Sequence, residues 1–166
     1  MMWTKVGGGA GEGAMMPSWN EGAARALVEP WSAGEGGLVP ALHALVEAFG
    51  YIDERAIPLV ADVFNLSRAE VTGVVSFYKD FRRQPPGRHV VKVCRAEACQ
   101  AMGCERVVAE LEERLGTGMD STSPDGAVTL ETVYCFGNCA LSPAALVDGK
   151  LYGRVDAANL CAKVGR

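Results

Sequence analysis

The chain has no apolar run approaching the roughly 20 residues that a membrane span takes. Its 49% apolar content therefore reads as material for a water-soluble core. It also lacks a surplus of base: 16 Lys and Arg stand against 20 Asp and Glu, a net charge of −4. That balance argues against a large phosphate-binding surface. Histidine is scarce. His43 falls one step from an apolar helical stripe and His89 opens a strand. Neither has a nucleophile at a telling spacing, so both read as structural or surface residues and no catalytic residue is assigned. No GxxxxGK loop occurs, and "GGGAGEG" lacks the preceding strand that a dinucleotide loop needs. The opening segment "MMWTKVGGGAGEGAMMPSWN" has neither a secretory nor a transit pattern, so the expected compartment is the cytoplasm. Thiols stay reduced there. Six cysteines then point to metal or redox use rather than to disulfides.

Three stretches of different character follow one another. Residues 1–36 are glycine-rich and read as a flexible arm. Trp3, Trp19 and Trp31 within it are suited to docking on a partner or to covering the protein's own core. Residues 37–84 carry helical periodicity. Leu42, Leu45, Val46 and Phe49 form one stripe, ended by Gly50. Ile57, Val60, Ala61 and Phe64 form a second, with Asp53 as a candidate cap and Pro58 near its start. Asn65 stops that helix, and Ser67 with Glu70 forms a capping box for a third stripe of Val71, Val74, Val75 and Tyr78. A small helical bundle is expected. Its last two helices have the outline of a helix-turn-helix, which offers a DNA-binding cluster sensor as an alternative. Arg68 is the one base among the residues expected to face DNA, too little for reading a groove.

After "RRQPPGR" the pattern turns to strands. Within residues 85–166, "RHVVKVC" and "AVTLETVYC" read as strands, residues 97–115 as one helix and "TGMDSTSPDG" as a loop. "AALVDGKLYGRV" reads as a hairpin turning on Asp148-Gly149, and "DAANLCAKV" as a short capped helix. The order β-α-β-β-β-α gives an α+β chain, a helical bundle followed by an α/β domain with a mixed sheet.

The cysteines of "VKVCRAEACQAMGCERV" are not equivalent. Cys104 shares an apolar face with Val107, Val108, Leu111 and Leu115 and reads as a small buried hydrophobe. Cys99 lies about 140° away on a continuous helix. Cys94 ends a strand and Cys99 opens the next helix, a C-x4-C pair; Cys135 and Cys139 form a C-x3-C pair 35 residues further on. Two pairs at strand ends can converge as four thiolates, the donor set of a metal or cluster. Zinc fits such a set, but the wide C-x4-C loop favours a two-iron two-sulfur cluster, which such a loop wraps with its amide N–H groups. The positive end of the following helix would face the cluster. Arg95 is either an aid to the reduced cluster or a solvated arginine, and Asn138 either a donor to sulfur or a turn residue. Pro143 is suited to stiffening the loop.

This constellation resembles the thioredoxin-like 2Fe-2S ferredoxin family, which includes the 24-kDa-type subunit of NADH dehydrogenase and matching subunits of NAD-linked hydrogenases and formate dehydrogenases. The resemblance covers residues 38–166, with "GVVSFYKDF" similar to the family's third helix and "CFGNCALSPAALVDGKLYGRV" to its second ligand loop and hairpin. "VCRAEACQAMGCERV" is most similar to the gamma subunit of soluble, NAD-dependent, molybdenum-containing formate dehydrogenase. The resemblance implies a thioredoxin-like domain with Cys94, Cys99, Cys135 and Cys139 as ligands of one 2Fe-2S cluster. It gives Cys104 and Cys161 no ligand role. It implies an electron carrier beside an FMN- and NAD-binding beta-type subunit, with the molybdenum cofactor in an iron–sulfur alpha-type subunit. Equivalent subunits of NADH-quinone oxidoreductase or NAD-linked hydrogenase are the alternatives. Nucleic acid and a membrane span are not expected.

Overall fold

The computed structural model describes residues 18–166, so Trp3 and the "GGGAGEG" run lie outside the described residues. Two compact units divide between Pro85 and Pro86.

The first unit is helical. Helix α1 (Glu21–Val28) is capped by Asn20, whose side-chain oxygen accepts the Ala23 N–H at 2.9 Å. One 3-10 turn, Glu29–Trp31, follows it. These elements lie inside the stretch read as a flexible arm. The glycine-rich composition hid a short apolar face, the i, i+4 pair of Ala24 and Val28, both fully buried. Trp19 packs on Phe49 with ring centres 5.5 Å apart, so it covers the unit's own core. Trp31 stays exposed.

Helix α2 (Leu38–Phe49) ends at Gly50, whose φ of 80° only glycine adopts without strain. Helix α3 (Ala56–Phe64) stops at Asn65, also left-handed. The Asp53 carboxylate accepts the Arg55 N–H at 2.9 Å just ahead of it. Helix α4 (Arg68–Phe77) begins with the expected capping box between Ser67 and Glu70. Two stripes differ in detail. Helix α3 buries Ala56, Leu59, Val60 and Ala61, one step round from the expected face, while Ile57 and Phe64 are half-buried. Tyr78 lies beyond the last turn of α4 and is exposed, with its ring edge-on to that of exposed Phe77.

The second unit is a five-stranded mixed sheet in the order β2-β3-β1-β4-β5. Its strands are β1 (His89–Cys94), β2 (Ser121–Thr122), β3 (Val128–Val133), β4 (Ala144–Val147) and β5 (Lys150–Gly153). Strands β1 and β3 are parallel, and all other pairings are antiparallel. The two-residue strand β2 falls in the expected loop; it is too short to leave an alternating pattern. The turn between β4 and β5 is Asp148-Gly149, both with positive φ, as the tight twist of a two-residue hairpin requires. Asp148 also accepts the Val90 N–H at 2.8 Å and meets His89 Nδ1 at 2.7 Å, which accounts for that histidine structurally.

The expected single helix over 97–115 is two helices, α5 (Glu97–Ala101) and α6 (Cys104–Leu115). Gly103 sits between them at φ 82°, outside the right-handed region that a continuous helix needs. Helices α6 and α7 (Ala157–Lys163) pack on the sheet through Leu111, Val108 and Leu160 against Val91, Val93 and Leu130. Leu111, Leu130 and Leu160 are fully buried. Each contributes about 1.5–3 kcal/mol by leaving water.

Candidate metal centre

The parallel pairing of β1 and β3 fixes the site. Cys94 ends β1 opposite Val133, the last residue of β3, and Cys135 follows two residues later. The Arg95 N–H continues the ladder to the Val133 carbonyl at 2.8 Å. Both strands then give way to loops at the same edge. Ala96 is extended and Cys99 is the third residue of α5. On the other strand Cys135 takes φ 78°, an uncommon conformation for a residue with a Cβ, and Gly137 takes the same angle. The tight path folds the Gly137 N–H back onto Cys135 Sγ at 3.3 Å. Residues Cys139–Leu141 then form one 3-10 turn.

The four cysteines meet as two pairs. Cys135 Sγ and Cys139 Sγ are 3.7 Å apart. Two sulfurs on one tetrahedral metal, at about 2.3 Å each, stand about 3.8 Å from one another. Cys94 and Cys99 are buried and pack in one cluster. Burial alone would raise the Cys94 thiol. The N–H groups of Ala96, Cys135 and Phe136, with the Cys99 thiol, instead hold it below its ordinary value. Those donors come from both loops, so Cys94 marks where the loops touch. Cys139 is pushed the other way, first by its contact with Cys135 and then by the charges of Cys135, Cys99 and Cys94. A cation or cluster that binds all four removes that mutual repulsion.

Among the described residues, no three His, Cys, Asp or Glu side chains converge on a single metal-ion position. A two-metal group takes thiolate pairs with N–H donors around the sulfurs, and the Cys135–Cys139 contact and the amides about Cys94 suit that chemistry. The donors are loop amides. The helix terminus expected to face the site belongs to α5, whose five residues carry little macrodipole.

Cys104 opens the buried face of α6, as its spacing predicts. It packs against Cys94, Cys99 and Ala144 rather than into the sheet core. Burial raises its thiol pKa. Cys161 lies in the sheet core, and its pKa is raised for the same reason. Arg95 makes a two-pronged ion pair with Glu105 at 2.9 and 2.7 Å, so its charge is already matched. The Asn138 side-chain amide lies against Gly153. Sequence reasoning missed Gly153 and Ser142. A glycine at the end of a strand is a recognised sign of close backbone approach, but a lone serine carries no such sign.

The sheet order, two helices packed on the sheet and the cysteine loops at one edge define a thioredoxin-like fold. The family described as Thioredoxin-like 2Fe-2S ferredoxin matches residues 24–165, and the chain belongs to it. It is 38% identical over 117 residues to a subunit of the NADH-quinone oxidoreductase of Pseudomonas aeruginosa, covering 70% of each chain. It is 37% identical over 129 residues to the HndA subunit of the NADP-reducing hydrogenase of Solidesulfovibrio fructosivorans, covering 78% of this chain and 75% of that one. Among solved structures, an air-oxidised NAD+-reducing NiFe-hydrogenase aligns with a TM-score of 0.66 at 26% identity. The alignment covers 78% of this chain and 22% of the hydrogenase chain, so this chain spans about a fifth of that one. Among the described residues, no helix is long and apolar enough to cross a membrane.

Proposed function

We propose that Cys94, Cys99, Cys135 and Cys139 hold one 2Fe-2S cluster, one pair to each iron, and that the chain carries single electrons to and from a partner subunit. The observation that carries this is the arrangement of two thiolate pairs at the ends of adjacent parallel strands, one pair buried and the other exposed. The group bound between them would supply one-electron redox chemistry with little rearrangement. This chain's own part is to fix the four sulfurs, donate amides to them and bury one side. Exposed apolar residues stand close to the cysteines in sequence: Tyr134 and Met102 are 68% and 61% exposed, and Leu141 is exposed too. Exposed apolar residues of this kind suit close docking of a redox partner.

The partner in this reading is an FMN- and NAD-binding beta-type subunit. The stretch "VCRAEACQAMGCERV" supports a soluble formate dehydrogenase, in which an alpha-type subunit with the molybdenum cofactor oxidises formate and NAD+ is reduced elsewhere. A second reading rests on the identities of 38% and 37% to a quinone-reductase and a hydrogenase subunit, and makes the assembly one of those types. In either, residues 86–166 carry the cluster, and the helical unit before them, α1 included, forms a second module. Isolation of the intact assembly from its native cell, with metal analysis, tests this. Molybdenum supports the formate reading, nickel supports the hydrogenase reading, and a chain free of iron and sulfide overturns both.

A further inference from the structure

Ser142 touches both cysteine loops through one hydroxyl. Cys99 Sγ lies 3.6 Å from Ser142 Oγ, across 43 residues of sequence, and in its thiol form it donates to that oxygen. The same hydroxyl donates to the Cys139 carbonyl at 2.8 Å. Ser142 is 8% exposed, so water competes poorly for either position. A cysteine that ligates metal is a thiolate and has no proton to give. With Cys99 in that state, its sulfur becomes an acceptor, and one hydroxyl proton faces two acceptors.

We propose that Ser142 sets the reduction potential of the site by sharing this proton between the Cys139 carbonyl and Cys99 Sγ. The inference rests on the four-cysteine reading above. One electron, from the partner's redox centre or from dithionite in an assay, adds one negative charge to the ligated group. The Cys99 sulfur then accepts more strongly, and the Ser142 hydroxyl turns towards it. No proton enters or leaves; the hydroxyl proton stays on Oγ and changes its acceptor. The hydrogen bond favours the reduced state, so it raises the potential.

The test is a mediated dithionite titration of the cluster-loaded full chain, followed by paramagnetic resonance, with iron and sulfide measured in parallel. Ser142→Ala keeps its iron and titrates at lower potential, with an oxidised-to-reduced ratio changed about tenfold at fixed potential. That corresponds to about 59 mV for one electron. Ser142→Thr retains the hydroxyl and titrates near the parent. Ser142→Val has the shape of threonine without the hydroxyl and follows alanine. Equal potentials for the threonine and valine variants overturn the proposal, and so does loss of iron from both alanine and valine variants. A parent chain that takes up no iron fails the four-cysteine reading itself, a result separate from either.

Discussion

Gly153 lies against Leu141 so closely that a Cβ at position 153 would stand 2.5 Å from the Leu141 Cβ and 2.8 Å from its carbonyl oxygen. Leu141 closes the 3-10 turn that Cys139 opens, and its carbonyl accepts the Arg154 N–H at 2.6 Å. Strand β5 is thus the surface against which the second cysteine loop is pressed. Gly153→Ala forces backbone apart here, because the obstructing oxygen cannot swing away as a side chain can. The expected cost is about 1–3 kcal/mol, the usual range for overpacking. A thermal melt reads that cost. Iron content should fall as well, since the displaced turn carries Cys139 away from Cys135.

The six cysteines should divide four against two. Cys94→Ser, Cys99→Ser, Cys135→Ser and Cys139→Ser each lower iron and sulfide several-fold on anaerobic reconstitution. Cys104→Ser and Cys161→Ser keep the parent's content and lose about 1–2 kcal/mol from placing a hydroxyl in an apolar site. Cys104 makes the sharper trial, because it packs directly on Cys94 and Cys99. Retention of the cluster in the Cys99 variant together with its loss in the Cys104 variant would exchange their roles.

What the sequence made legible is what depends on short-range pattern. The capping box at Ser67 and Glu70, the stop at Gly50, the Asp148-Gly149 hairpin and the buried face of α6 each follow from residues within a few turns of one another. The two cysteine pairs could be read because each sits beside a strand end. Helix α1 was hidden by its glycine-rich neighbours, and its stability comes from packing that no local window contains. Ser142 and Gly153 escaped for the same reason. Their contacts are with Cys99 and Leu141, 43 and 12 positions away, and only the fold brings them together.

Asp53 gives an acid-side prediction. The Arg55 side chain above all, with the Arg55 N–H and the Tyr51 hydroxyl, outweighs partial burial and lowers its carboxyl from 3.8 to about 2. Folding therefore favours the carboxylate. The stabilisation is complete above about pH 5 and is lost as the pH falls through about 2. Asp53→Asn should lower the urea midpoint of the helical unit at neutral pH, and the gap from the parent should shrink steadily as the pH falls to 2. A gap of constant size down to that pH would mean that Asp53 acts by shape rather than by charge.

Gly103 tests how the first cysteine loop is set. It has open space around a would-be Cβ, so any effect of substitution comes from its φ of 82° and not from a clash. Alanine tolerates that conformation poorly, at a cost of about 1 kcal/mol. It also favours a continuous helix through Met102, joining α5 to α6. In that continuous helix Cys99 and Cys104 would stand about 140° apart and Cys99 would be drawn off Cys94. Asparagine enters the left-handed region more readily than alanine. The expected order of urea midpoints is therefore parent, Gly103→Asn, Gly103→Ala, and the cluster absorbance of the reconstituted chains should fall in the same order. An alanine variant with full absorbance and a lowered midpoint would show that the break serves the fold and that Cys99 is positioned by its contacts with Cys94 and Ser142 alone.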